Sequence, residues 1–394
     1  MNKEQVYLDA CKTTRLDPKV LEEMKPYFLE KYWFPGNFTD IGNEIADEIS
    51  ESQKKIAKTI NAEPGEIIFT SGGTDGNNIA LKGIMAANRE KGKHFITSKV
   101  SHPSVLTVFK ALEDEGYEGT YISADEEGYL DLEELRSSIR KDTTLVALTH
   151  INHTLGTVQK IDAISEILQN ANHKINFFLD SCEAYTKIPI DVKKQKIDAI
   201  SISGHKFNGP KGTGFLFVKD GTKVKKTQNG IARLHPLKPG VVNVPGIVGI
   251  TKAADLIFED FEGHVERLAN LQKKLYDGIK QRIDDIRLNG PALGERSPAH
   301  LNISFMAVEG EAIMMMLNFD DIHIETGSAC SAKELKADYI MMNTGRTFEE
   351  SHGSVRFTLD KFVTEEQIDK TIDSLEKTIK ELRRRSPLGK KKTN

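Results

Sequence analysis

Residues 200–214 read Ile200-Ser201-Ile202-Ser203-Gly204-His205-Lys206-Phe207-Asn208-Gly209-Pro210-Lys211-Gly212-Thr213-Gly214. Apolar residues alternate with small polar ones as far as Ser203, the pattern of a buried strand, and a glycine-rich turn follows. Between strand and turn stand a hydroxyl, an imidazole and an amine, in Ser203, His205 and Lys206. Lysines mostly lie on surfaces. One held where a buried strand ends can be desolvated until its amine gives up its proton, and a neutral amine condenses with an aldehyde to a Schiff base. The stretch points to pyridoxal phosphate, with Lys206 as the residue that takes it.

Working outward, Ile175-Asn176-Phe177-Phe178-Leu179-Asp180 is a buried strand that ends on an acid, and Thr144–Thr149 is another. Asp180 is one crossover away from Lys206, so neighbouring strand ends can hold both over one ring. A carboxylate against a pyridine nitrogen keeps that nitrogen protonated. Further upstream the strand Glu66–Thr70 runs through Ser71-Gly72-Gly73-Thr74 into apolar residues at helical spacing, Ile79, Ala80, Leu81, Ile84 and Met85. Such a junction offers free N–H groups to a phosphate. A plain tight turn explains it equally well on its own, and it lacks the Gly-Lys-Ser/Thr of a Walker A loop.

The alternation of strands and helices predicts an α/β protein with a mostly parallel sheet, in which ligands bind at the carboxyl ends of strands. His102, Asn152, Asp180 and Lys206 all fall at or just past such ends. Helices are expected over Asp17–Lys31 and Ile41–Ala62, the second closed by Pro64-Gly65. After a loop rich in glycine and proline, Asn229–Pro245, the pattern shifts to long helices over Ile250–Asp285, then strands at Leu301–Phe305, Ile322–Glu325 and Ser354–Thr358, and a helix over Thr364–Arg384. The expected organisation is an N-terminal segment, 1–14, joining a small domain; a large cofactor-binding domain, 15–255; and a smaller C-terminal α+β domain, 256–394.

Composition narrows the function. With 394 residues, 38% of them hydrophobic, and a net charge of −4, the chain has no basic field to favour nucleic acid or a membrane surface. No window approaches the roughly 20 apolar residues of a membrane span, and Met1–Tyr7 is no signal peptide. Cys11, Cys182 and Cys330 are too few and too far apart for a disulfide framework or a metal motif, so reduced thiols in a cytoplasm are expected and no metal.

Several short words then occur in one order: Tyr7-Leu8-Asp9 with Thr13-Thr14, Phe69-Thr70-Ser71-Gly72 with Thr74 and Asn78, Ser101-His102, Asp180, Ser203-Gly204-His205-Lys206 with Gly209-Pro210-Lys211-Gly212, Glu309-Gly310-Glu311, Gly327-Ser328-Ala329-Cys330, and His352 with Arg356. On these words nearly the whole chain resembles the cysteine desulfurases of the NifS/IscS type, in the class V aminotransferase, fold-type I family of pyridoxal phosphate enzymes. The resemblance implies a homodimer that takes sulfur from L-cysteine, releases L-alanine, and passes the sulfur from a persulfide on Cys330 to an acceptor protein, such as a scaffold for iron–sulfur clusters. It implies Lys206 as Schiff-base lysine and proton shuttle, Asp180 as partner of the ring nitrogen, and His102 stacked on the ring. Gly73, Thr74, Ser203 and His205 would hold the phosphate, and Asn152 and Arg356 the substrate, whose carboxylate suits the planar guanidinium fork. Cys330 lies in a run of small residues, Thr326–Ala332, which suits a swinging nucleophile, while Cys11 and Cys182 read as structural. Two rivals remain at this stage, another fold-type I enzyme acting on a different amino acid and a degenerate, non-catalytic homologue.

Departures from the family pattern gather on one side of the site. His153 stands where an asparagine is usual, Glu183 where a glutamine holds the ring oxygen, Lys12 where an alanine is usual, and Val241 where a threonine reaches the phosphate from the partner subunit. An ionised glutamate cannot donate a hydrogen bond. The expectation is that Lys12 or a protonated His153 balances the charge of Glu183.

Overall fold

A computed structural model describes residues 5–36, 39–327 and 337–386. Cys330 and the end of the basic tail lie outside the described residues.

Seven strands form the main sheet, in the spatial order Ile67–Thr70, Gly214–Val218, Ala199–Ser203, Asn176–Asp180, Thr143–Thr149, His94–Ser98, Glu118–Ile122. Four of its six pairings are parallel, and Gly214–Val218 runs antiparallel to both of its neighbours. Every residue of the Asn176–Asp180 and Ala199–Ser203 strands is buried. Continuous burial on both faces is what a sheet covered by helices on each side requires. Phe177 and Phe178 point into different cores on opposite faces, which is the period-2 alternation of a strand. Burying one such side chain contributes about 1.5–3 kcal/mol.

Two helices cover one face of the Ile67–Thr70 edge: Asp40–Thr59, with Ile45, Ile49 and Ile56 buried, and Val244–Phe258. The expected helix over Asp17–Lys31 is two pieces, Pro18–Met24 and Pro26–Leu29. Pro26 has no N–H to continue the ladder. Likewise the expected helix over Ile250–Asp285 is divided into Val244–Phe258 and Phe261–Arg282, with Asp260 accepting from Gly263 N to cap the second.

A second core gathers Leu268, Leu275 and Ile279 of the Phe261–Arg282 helix, Ile368 and Leu375 of the Glu365–Arg385 helix, and a four-stranded antiparallel sheet. That sheet runs Ile286–Asn289, His300–Phe305, Ser354–Thr358, Glu325–Thr326. Val6 and Leu8 are packed into this core, and Val6–Tyr7 pairs with Ile322–His323. The chain then crosses from Asp9, bridged to Thr358, to Thr14, whose N–H donates to the His205 carbonyl at 2.8 Å. Residues 9–14 are thereby strung between the small sheet and the Lys206 turn.

The antiparallel strand sets the position of that turn. Gly214 lies opposite Thr70 on one side and Ser203 on the other. A Cβ there would collide with the Ile202 carbonyl and come within 2.7 Å of Gly72 Cα. Gly214→Ala is expected to lower stability by about 1–3 kcal/mol, the range for overpacking, measured as a lower urea midpoint with an unchanged slope.

Candidate active site

The carboxyl ends of the parallel strands converge on a cavity of about 310 Å³. His102, Asp180, Ser203, Lys206 and Arg356 all line it, so residues separated by more than 250 positions meet in one wall. It shares Lys12, Gly73, Thr74, Ser203 and His205 with a wider cleft of about 830 Å³.

Asp180 ends its strand and is 5% exposed. Its Oδ1 accepts from Cys182 N at 3.2 Å and its Oδ2 from Asn77 Nδ2 at 3.0 Å. Asn77 is fully buried, one turn into the Gly73–Ala87 helix, and also donates to Ser104 Oγ at 2.8 Å. Ser104 in turn meets His102 Nδ1 at 2.7 Å, and that ring nitrogen also accepts from Ser104 N as the cap of the Pro103–Asp114 helix. One polar chain thus joins Asp180 to His102. Burial lowers the pKa of His102 against the opposing pull of Asp180, so the ring is neutral near pH 7. Sequence reasoning missed Asn77 and Ser104; the polar pair Asn77-Asn78 inside an otherwise apolar helix face was the available signal.

At the other end of the cavity Gly72, with φ +135°, turns the chain into the Gly73–Ala87 helix. A Cβ on Gly72 would lie 3.2 Å from Ser203 Oγ, and one on Gly73 would strike Cys182 Sγ. The hydroxyl and the helix-end N–H groups therefore form one concave surface, with Thr74 and His205 on its rim. His205 is pushed down to about 4 by burial and by the charge of Lys206, and its Nδ1 meets Thr13 Oγ1 at 3.2 Å.

Arg356 occupies the third side. Its Nη1 donates to the His153 carbonyl at 3.1 Å, its Nη2 lies 3.7 Å from Asp9 Oδ1, and its Nε is a buried donor without a hydrogen-bond partner. A buried guanidinium with a donor to spare fits a carboxylate ligand.

Three expectations need correction. Lys206 is not held as a neutral amine: burial would lower its pKa, but the Glu183 carboxylate, 2.8 Å from Nζ, raises it above the ordinary lysine value. Neither Lys12 nor His153 balances Glu183. Lys12 forms its ion pair with Glu325, and burial holds His153 neutral, its ring edge-on to that of His102. The balancing cation is Lys187, buried, 2.8 Å from Glu183 Oε2, one turn later in the chain. Asn152 does not line the cavity: its side chain donates to Val100 O at 3.1 Å and accepts from Thr154 N and Leu155 N, which fixes the turn and presents His153 instead. Cys11 and Cys182, read as structural, are both buried and stand in the cavity wall, where burial pushes their pKa values up.

These residues fit pyridoxal phosphate. A lysine and a carboxylate lie deep in one cavity with an imidazole beside the space a flat ring would take, and the glycine-lined helix end at the mouth suits an anion.

His150, fully buried behind Asp180 with its Nδ1 3.1 Å from Ser181 Oγ, is pushed by burial from 6.5 down to about 4. A histidine with a depressed folded pKa costs nothing above the unfolded value. Its stabilisation is lost as pH falls from 6.5 toward 4, because the unfolded chain takes up the proton first. Folding stability should therefore drop over this window by roughly 3 kcal/mol for this group. Denaturant titrations at pH 7 and pH 4.5 measure the drop, which His150→Gln should make smaller.

Comparison with known proteins agrees with this arrangement. The family model for aminotransferase class-V matches residues 6–371. A curated "Cysteine desulfurase IscS" from Dictyoglomus turgidum is 40% identical over 385 residues, covering 98% of this chain and 97% of that protein. Another, from Methanosarcina thermophila, is 38% identical over 386 residues, with 98% and 95% covered. Among solved structures, one titled "NIFS-LIKE PROTEIN" superposes with a TM-score of 0.89 at 29% identity, covering 95% of this chain and 99% of its own. "SspA in complex with cysteine" gives 0.79 at 28% identity, covering 91% and 100%. A match from residue 6 to residue 371 takes in both sheets and the whole cavity wall, and the chain belongs to the aminotransferase class-V family, fold-type I enzymes that work with pyridoxal phosphate.

Proposed function

We propose that this chain is a cysteine desulfurase that removes sulfur from L-cysteine, leaves L-alanine, and carries the sulfur on Cys330. The observation that carries the reading is the single cavity in which Lys206, Asp180, His102 and a guanidinium with a spare donor, Arg356, face one another. Relatives named cysteine desulfurase at about 40% identity over nearly the full length support it.

Pyridoxal phosphate, when bound, supplies an aldehyde for amines and a ring that withdraws electrons from the substrate α-carbon. Lys206 provides the amine for that aldehyde and, once released, the base that moves the α-proton. Asp180, held by Asn77 and the Cys182 N–H, would be the partner of the ring nitrogen. Gly73, Thr74 and Ser203 would hold the phosphate with His205 beside them, and neutral His102 would lie beside the ring and could accept or return a proton through Nε2. Arg356 fixes the substrate carboxylate, and with it the direction of the thiol. The strand Glu325–Thr326, which leads to the Cys330 segment, is paired in register with the Arg356 strand, and Asp338, just beyond that segment, meets Thr154 Oγ1 at 3.3 Å. The described residues on either side of that segment thus pack on the Arg356 strand and on Thr154. The Cys330 thiolate attacks the substrate sulfur: the new S–S bond forms as the substrate's carbon–sulfur bond breaks, and its electron pair returns to the carbon that becomes the alanine methyl group.

A sulfur-acceptor protein is the natural recipient, and reduced, buried Cys11 and Cys182 suit a cytoplasmic setting. Among the described residues no helix is long and apolar enough to cross a membrane. We propose a homodimer as well. Leu29, Ile231 and Val241 are 82%, 69% and 86% exposed, an unusual load of apolar surface. Light scattering on the purified protein should give twice the chain mass; a single chain mass at micromolar concentration would contradict it.

With L-cysteine and a reductant, the loaded protein should release alanine and sulfide in equal amounts. Cys330→Ala should lower this at least about a hundredfold while leaving the cofactor's visible absorbance intact. Turnover of other amino acids in preference to cysteine, unaffected by Cys330→Ala, would identify a different enzyme on this fold.

A further inference from the structure

Glu183 is shared between two cations. Its Oε1 lies 2.8 Å from Lys206 Nζ and its Oε2 2.8 Å from Lys187 Nζ. The Cys11 thiol donates to Oε1 at 3.4 Å, and Lys206 Nζ also donates to the Cys11 carbonyl. Glu183 and Lys187 are each 5% exposed, so the pair is largely withdrawn from water. The turn that begins at Ser181 accepts N–H groups from Ala184 and Tyr185 at Ser181 O and from Lys187 at Ala184 O, which sets residues 183 and 187 on one side.

The other titratable groups around Lys206 do not take this role. Burial keeps His102, His153 and His205 neutral, and it keeps the thiols of Cys11 and Cys182 protonated. Arg356 faces Asp9, while Tyr7 donates to the carbonyls of Asp9 and Thr13. Asp180 is occupied by Asn77 and the Cys182 N–H. Glu183 is left as the anion in contact with the lysine. Burial alone would raise its pKa, but Lys187 first and Lys206 second hold it well below the ordinary value.

We propose that Glu183, kept ionised by Lys187, is a positioning residue that stores Lys206 as an ammonium in the cofactor-free protein and makes attachment of the aldehyde cofactor a proton-gated step. Lys206 must first release its proton to solvent. Its neutral nitrogen then attacks the aldehyde carbon, a carbon–nitrogen double bond forms, and the aldehyde oxygen leaves as water. Because Lys187 remains on Oε2, Glu183 stays charged when Lys206 loses its proton, and the separation of that ion pair is charged to every attachment. This inference rests on the reading of Lys206 as the cofactor's lysine.

The test measures attachment rather than turnover. Full-length cofactor-free protein is mixed with pyridoxal phosphate from pH 6 to pH 10, and the growth of visible absorbance is timed. Samples reduced with borohydride are digested and the labelled peptide is mapped. Wild type should attach slowly at pH 7 and faster as pH rises. Glu183→Gln should attach at least about tenfold faster at pH 7, with its profile displaced to lower pH by about one unit or more. Glu183→Gln with Lys187→Met removes both charges of the Glu183–Lys187 pair, so that Lys187 is not left as an unpaired buried cation, and should show the same displacement. Label on Lys206 with one pH profile for all three proteins would overturn the role of Glu183 alone. Label elsewhere than Lys206 in wild type would overturn both this inference and the reading of the site.

Discussion

The cavity depends on the neutralisation of a carboxylate buried in its wall. Glu183 is buried between the ammonium groups of Lys187 and Lys206, each 2.8 Å away. Moving any one of these charges out of water costs several kcal/mol, and removing one partner from a buried pair leaves the other uncompensated, a loss of about 3–5 kcal/mol. Three charges on one short turn and one strand end are therefore a constraint as well as a contact. They fix where the Lys206 amine is, and they hold residues 9–14 in place through the Cys11 carbonyl and thiol. A single carbonyl, that of His153, completes the link, accepting from Cys11 Sγ, His300 Nε2 and Arg356 Nη1. The large sheet, the N-terminal segment and the small sheet meet at these few polar atoms.

Topology supplies the rest. The parallel strands ending at Thr149, Asp180 and Ser203 deliver their last residues to one edge of the sheet, where backbone groups are free and ligands bind. The antiparallel strand Gly214–Val218 holds the glycine-rich turn after Lys206 against the helix end at Gly72–Gly73. Asp180, the helix end at Gly73 and Arg356 thus bring three different pieces of the fold to one cavity. The Asn77–Ser104 chain couples Asp180 to His102, so that the first turns of two helices, Gly73–Ala87 and Pro103–Asp114, hold the carboxylate and the imidazole in one network.

Much of this was legible in the sequence because strand burial leaves a plain pattern. Asn176–Asp180 and Ala199–Ser203 are continuous or alternating apolar runs that stop on polar residues, and those polar residues proved to be in the cavity. What could not be read was direction and pairing. Asn152 and His153 are adjacent, and only the three-dimensional turn decides that the amide is spent on Thr154 and Leu155 while the imidazole faces inward. The partner of Glu183 was sought among distant residues that depart from the family pattern, whereas Lys187, four residues away, was the nearer answer. The neutral lysine was inferred from burial alone, and burial lost to an adjacent carboxylate. Helix ends went astray where proline or a local cap intervened, at Pro26 and Asp260.

The central claim is that sulfur leaves cysteine for Cys330 and not for the two thiols that stand in the cavity wall. Burial pushes Cys11 and Cys182 toward the inert thiol form, which leaves them poor nucleophiles. The most direct measurement is a peptide map by mass spectrometry of the loaded protein after brief exposure to L-cysteine without reductant. The account predicts the mass of one extra sulfur atom on the peptide that contains Cys330, and none on those containing Cys11 or Cys182. Extra sulfur on either buried cysteine, or alanine formed with none on Cys330, would contradict it.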